Sequence, residues 1–379
     1  MSYSRTETSK AIEWLRFPLA CLIVLLHSQL QDTAYKPVAA SSGFAYSLKI
    51  LLSEGICRIA VPAFFLISGY LFFVNLEKWD KEVWLGKMKR RIHTLFIPYI
   101  IWNIVGIAYL CVSPYVGSNV ENPESLLSVF QDRGWLRLFW DSNRVMEQWN
   151  PPTINILGYA MHNGMPANTP LWFIRDLIVI NLFSPLIYVF VKNTKQYGLW
   201  VLGILFLLNI WVPIEGFSII GFFFYSLGAY CAIFSKGMAE PFKKFSPLAY
   251  VLAVALLSGL LVTFGRHWSA QYILRCFQIV GVISIFNIAT IITKDGDRPV
   301  TRLADSSFFI YASHIFLLTA IAFILSKIIP GSSQLLLAIN YLLAPALTIV
   351  ICVGVYKILK RVCPNFLSFI SGNRKKTVS

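Results

Sequence analysis

Arg16 and His27 stand eleven residues apart in the first apolar stretch of the chain. In an α-helix that separation turns about 1100°, roughly 20° past three full turns, so both side chains leave one face about 16 Å apart along the axis. An ionisable group placed in an apolar span is costly and marks function by default. An imidazole exchanges protons near neutral pH, and a guanidinium holds anions. Each residue also has a plainer account. Arg16 can snorkel to the headgroups or pair with Glu13 one turn earlier, and His27 can serve as an interhelical hydrogen-bonding residue or sit at the outer interface.

Other polar groups interrupt apolar runs in the same way. Glu54 and Arg58 sit at i, i+4 in the order that favours a pair, either as an internal ion pair ordering the helices or as part of a site. Ser68 and Gly69, followed by Tyr70, permit close approach of another helix. Trp172 is followed by Arg175 and Asp176, whose adjacency predicts different directions and partners on other helices. His314 is expected near mid-membrane, as a second site residue or a structural hydrogen-bonder. Lys87, Lys89, Arg90, Arg91 and His93 form a basic run that reads either as a topological signal or as a phosphate-binding rim. No Cys or His spacing fits a metal site, so no metal is expected. The seven cysteines read as small buried apolar residues rather than as a disulfide framework.

The elements that must position these residues are membrane helices. Of 379 residues, 56% are hydrophobic and only 13% charged, against about 25% charged in soluble domains. The net charge of +15 lies in short clusters between apolar runs. That is the pattern that orients a membrane protein, and no nucleic-acid partner is expected. The fold class is therefore all-α, a polytopic transmembrane bundle of about ten helices. Spans are expected over 12–30, 50–74, 95–113, 171–191, 198–213, 217–234, 248–264, 270–292, 306–328 and 335–358. The first apolar run lacks a small-residue cleavage site close behind it and is read as a retained helix. With both termini cytoplasmic, twenty-two Lys and Arg face inward and seven face outward, and this asymmetry sets the orientation. The one long loop, 114–170, faces outward and carries Trp135, Trp140 and Trp149, which can stack on sugar rings or anchor at the interface. Residues 1–370 are expected to form a single transmembrane domain, and 371–379 a basic cytoplasmic tail near anionic lipid.

Several of these residues also form motifs. Arg16, ten residues and then His27 resemble the R-x10-H signature of the acyltransferase-3 family of membrane-bound O-acyltransferases. Phe64-Phe65-Leu66-Ile67-Ser68-Gly69-Tyr70 resembles its F-F-x-x-S-G-Y stretch. Lys89-Arg90-Arg91 through Pro98-Tyr99 and Trp102 is similar to its basic run ending in P-Y. Leu171-Trp172-Phe173 resembles its W-F-L motif, with Ile174 in place of the final Leu. Ser306-Ser307-Phe308-Phe309-Ile310-Tyr311 followed by His314 is similar to its penultimate helix.

The resemblance spans residues 12 to about 358. It implies transfer of an acyl group, usually acetyl, from cytoplasmic acyl-CoA to a hydroxyl of a surface or exported glycan, or of a lipid-linked sugar. The setting would be the bacterial cytoplasmic membrane. Acyl-CoA is then a co-substrate, and no tightly bound cofactor is expected. In that frame Lys89, Arg90 and Arg91 hold phosphates, Arg16 binds the donor and His27 is the general base. The oxyanion donor would be Arg58, Ser68, Tyr70 or Trp172. An acetyl-histidine on His27 or His314 is an alternative route. The competing class is a transporter or flippase of a glycan precursor, in which the intramembrane Arg, Glu and His line a permeation or proton path.

Overall fold

The computed structural model describes residues 3–30, 43–76, 78–116, 135–141, 153–154, 160–161, 164–212, 214–235, 237–294, 296, 299–329 and 331–372. The expectations for Trp149 and for residues 373–379 of the tail lie outside these. The described residues are overwhelmingly helical. The helices used below are α1 (Tyr3–Leu26), α2 (Phe44–Lys49), α3 (Ala60–Phe73), α4 (Lys81–Arg91), α5 (Ile97–Val116), α6 (Trp172–Leu182), α7 (Ser184–Leu208), α8 (Ile219–Phe234), α9 (Ser246–Thr263), α10 (Ala270–Ile292), α11 (Ser307–Ile328) and α12 (Gln334–Val362). A two-residue antiparallel ladder joins Thr153–Ile154 to Ala160–Met161.

Each stretch expected to span overlaps helix among the described residues, though those over 12–30 and 198–213 run past their helices' ends at Leu26 and Leu208. Among the described residues six helical stretches are long and apolar enough to cross a membrane, or seven if the bent pair Thr169–Leu182 and Ser184–Leu208 counts as one. The difference from ten has physical causes. α1 carries Lys10, Glu13 and Arg16 in its N-terminal part, which dilutes its apolar length. The stretch expected over 171–191 bends by 68° between Leu182 and Ser184. Pro185, in the first turn of α7, has no N–H to continue the preceding helix. The next break falls at Lys195, whose φ of 52° ends one run of helix and starts another where a loop was expected. α8 has only 16 residues.

The described residues fall into two compact units. The first comprises Met1–Glu77, Tyr188–Leu208 and Phe223–Ile358. Within it α1 packs against α3, α10, α11 and the 3-10 turn Pro299–Ser306. Leu15, Leu19, Ile23 and Val24 are buried on it, and Ala20 and Val24 share a core with Ile310, Leu318, Ala344 and Cys352. α9, by contrast, leaves Leu248, Val251, Val254 and Val262 exposed on the protein, as a lipid-facing helix must. α3 and α8 meet through glycines. A Cβ on Gly69 would overlap the carbonyl of Tyr225, and one on Gly228 would overlap that of Leu66. Backbone cannot yield as a side chain can, so Gly69→Ala is expected to cost about 2–3 kcal/mol, visible as a lower Tm of the purified protein in detergent.

The second unit comprises Lys78–Ile187, Asn209–Phe222 and Leu359–Ser379. Asp80 caps α4, its Oδ1 accepting the Val83 N–H at 2.9 Å. The described part of the outer loop is tied to helices by polar contacts. The Asn168 N–H donates to Asn103 Oδ1 (3.2 Å), its Nδ2 donates to the Trp102 carbonyl (3.3 Å), and the Tyr99 hydroxyl donates to the Phe139 carbonyl.

Candidate active site

α1 ends beside a second helix stretch whose geometry is irregular. Between α2 and α3 the backbone runs through a π turn, Ile50–Gly55, and a 3-10 turn, Ile56–Ile59. Such interruptions re-aim side chains and recur at functional sites. Here they carry Ser53, Glu54 and Arg58. The Ser53 hydroxyl donates to the Leu25 carbonyl (2.8 Å) and meets the Tyr341 hydroxyl at 2.6 Å, while Ser28 Oγ donates to the Tyr341 carbonyl (2.7 Å). The last carbonyls of a helix have no partner within it. Ser53 supplies one, and Tyr341 of α12 fixes the chain just past His27.

His27 follows the last residue of α1, its N–H bonded to the Val24 carbonyl at 3.3 Å as the helix tightens. Its ring faces His314 of α11, with centroids 5.3 Å apart and planes inclined by 39°. His27 is half-buried and His314 fully buried. His314 Nδ1 lies 2.7 Å from the Tyr311 carbonyl and 3.2 Å from that of Ile310. A carbonyl only accepts, so Nδ1 carries the proton. His314 Nε2 is buried and has no hydrogen-bond partner among the described residues.

Charge surrounds this pair. Arg58 pairs with Glu54 through Nη2 and, at 3.2 Å, through Nε. The Arg58 charge acts on His27, and both Glu54 and Arg58 act on Lys49. Gln278 Nε2 holds the Arg58 carbonyl at 3.2 Å. At the other end of α1, the carboxylates acting on Arg16 are Asp305 and Glu13. Asp305 is the penultimate residue of the 3-10 turn that runs into α11, and His314 follows on α11 itself. Arg16 and His27 therefore address one neighbouring segment at two heights, as expected of side chains on a shared face.

The structure does not gather every candidate. Tyr70 is buried toward Arg5 and Thr8, in the first turns of α1. Thr8 lies nineteen residues before His27, about 28 Å along a helix. Ser68 lies half-buried beside the glycine contact of α3. Trp172, Arg175, Lys89, Arg90 and Arg91 belong to the second unit. There Lys89, Arg90 and Arg91 occupy the last turn of α4, which continues through a π turn, Ile92–Phe96, into α5.

Arg175 and Asp176 were expected to find partners on other helices. They pair with each other instead, Nε and Nη2 of Arg175 reaching Asp176 Oδ1 at 3.0 and 2.9 Å. Nη1 donates to the carbonyls of Trp140 (2.7 Å) and Gly164 (2.6 Å), and the guanidinium lies over the Trp140 ring. The long arginine stem folds back over the first turn of α6, which adjacency alone does not forbid. The site residues missed from sequence are Ser28, Ser53, Lys49, Asp305 and Tyr341. Ser28 and Ser53 flank named candidates, but nothing local pointed to Tyr341. Among the described residues no group of three or more His, Cys, Asp or Glu side chains could hold a metal ion. A cleft of about 350 Å³ at the turn between α9 and α10, lined by Phe264, His267 and Trp268, includes neither His27 nor His314.

This is a multi-pass membrane protein with two imidazoles facing each other where its first helix ends. The chain belongs to the acyltransferase-3 family, whose acyltransferase domain matches residues 9–357. It is similar to the succinoglycan biosynthesis protein ExoH of Rhizobium meliloti (strain 1021), at 26% identity over 378 residues, covering 97% of this chain and 93% of the relative. No solved structure matches it.

Proposed function

We propose that this protein transfers an acetyl group from acetyl-CoA to a hydroxyl of a surface or exported glycan, from within the bacterial cytoplasmic membrane. Family membership supplies acyl transfer, and the likeness to a succinoglycan biosynthesis protein supports a polysaccharide acceptor. The observation that carries the reading is the facing of His27 and His314 at the end of α1, with the Arg58 charge acting on His27.

In this scheme an imidazole nitrogen of His27 takes the proton of the acceptor hydroxyl as that oxygen attacks the thioester carbonyl carbon. The tetrahedral oxyanion needs a cation or donor. Arg58 fits this role better than Ser68 or Tyr70, because its charge acts on His27. The C–S bond then breaks, and the proton on His27 passes to the departing thiolate. The products are the acetyl ester and free CoA thiol. Arg16, on the face of α1, suits the negative charge of the donor.

Membranes containing the protein, supplied with radiolabelled acetyl-CoA, are expected to place label in the glycan fraction. A transporter would leave that fraction unlabelled. Arg16→Ala is expected to raise the KM for acetyl-CoA about tenfold while kcat changes less than about threefold, the mark of lost ground-state binding. Initial rates across a range of acetyl-CoA concentrations check this.

A further inference from the structure

His314 is fully buried, so it has no surface to offer an acceptor sugar or a thioester. Its Nδ1 proton is committed to the Tyr311 carbonyl at 2.7 Å. That leaves one lone pair, on Nε2, and this atom is buried without a partner among the described residues. A buried polar atom without a partner costs about 1–3 kcal/mol, so an unsatisfied one in a packed helix interface asks for an explanation. The ring that faces it is His27, 5.3 Å away between centroids. An imidazole nitrogen lies about 1.1 Å from its ring centre. Two nitrogens aimed at each other across that gap would be about 3 Å apart, within hydrogen-bond reach. Hydrogen bonds of this kind often tighten only when substrate binds.

Resting on the acyl-transfer reading above, we propose that His314 is the positioning residue for His27. Its Nε2 accepts the N–H of the His27 ring, so the other His27 nitrogen presents its lone pair to the acceptor hydroxyl. The Tyr311 carbonyl sets the His314 tautomer, and His314 sets that of His27. A base held in one tautomer by a third group is a general device of acid–base catalysis. Here a neutral imidazole does the holding. His314 neither gains nor loses a proton overall: it accepts a hydrogen bond that strengthens when His27 becomes an imidazolium and relaxes when the thiolate is protonated.

Two substitutions separate this from a structural role. The amide nitrogen of His314→Asn occupies the place of Nδ1 and keeps the bond to Tyr311, but nothing replaces Nε2. The amide oxygen of His314→Gln reaches the place of Nε2 and accepts there, while the bond to Tyr311 is lost. The assay is incorporation from radiolabelled acetyl-CoA into the glycan of membranes holding each full-length variant, with protein level and Tm measured alongside. His314→Asn is expected to lower kcat about 10²- to 10³-fold with the KM for acetyl-CoA within about twofold, and His314→Gln to recover at least about tenfold of that loss. A structural role predicts the reverse order. If His27→Ala is inactive but His314→Asn matches wild type, the relay is wrong and the acyl-transfer reading stands. If His27→Ala is itself fully active, His27 is not the base and the relay falls with it; the acyl-transfer reading falls only if wild type places no label in the glycan. Should His314→Asn fail to accumulate, a folded His314→Gln showing less than about one part in 10⁴ of wild-type activity would overturn the proposal.

Discussion

Replacing His27 by alanine is expected to lower the kcat for acetyl transfer about 10³-fold, with the KM for acetyl-CoA little changed. The magnitude is that of losing a positioned general base. The specificity of the effect follows from how the end of α1 is held. The bonds that fix it run from Ser53 to the Leu25 carbonyl and from Ser28 to the Tyr341 carbonyl. Neither uses the His27 ring. Removing that ring therefore leaves the helix end in place and takes away only the group facing His314. Membrane levels and Tm of His27→Ala should match wild type while turnover, measured from radiolabelled acetyl-CoA, collapses. A parallel loss of stability and activity would instead assign His27 to packing.

Asp176→Ala is expected to destabilise the protein by about 3–5 kcal/mol, the cost of breaking a buried ion pair from one side. Both members are buried, and two of the three Arg175 nitrogens bond to Asp176 Oδ1. Without Asp176 the guanidinium keeps only the carbonyls of Trp140 and Gly164, with no counter-charge. These carbonyls belong to the outer loop, so the damage spreads to the segment that Arg175 clamps. Thermal unfolding in detergent reads the loss. Arg175→Ala together with Asp176→Ala should be less harmful than Asp176→Ala alone, because no charge is then stranded. Additive losses in the double variant would show that the pair is not a closed unit.

Helices were legible wherever an apolar run had clean ends. The stretch expected over 270–292 is Ala270–Ile292 in the structure, and that expected over 306–328 is Ser307–Ile328. α1 was harder. It begins well before residue 12, because Thr6 to Lys10 remain helical outside the apolar run, and it stops at Leu26 rather than continuing to 30. The bend before Ser184 had a signal, Ser184-Pro185, which reads as a helix start inside a run that hydropathy treats as continuous. The π and 3-10 turns over Ile50–Ile59 had none beyond Gly55. In the site, Arg16 and His27 were legible from helical period, because that relation is local. The approach of His314 to His27 was not, since each lay alone on its own helix and pattern within one helix carries no information about its neighbour. Arg175 and Asp176 were misjudged because adjacency fixes where two side chains start, not where a long one ends.

The most direct test of the central claim is mass spectrometry of the surface glycan from cells lacking the protein and complemented with wild type or with His27→Ala at equal membrane levels. The account predicts an added acetyl group per modified sugar with wild type and its absence with His27→Ala. An identical acetyl content in the two strains would contradict it.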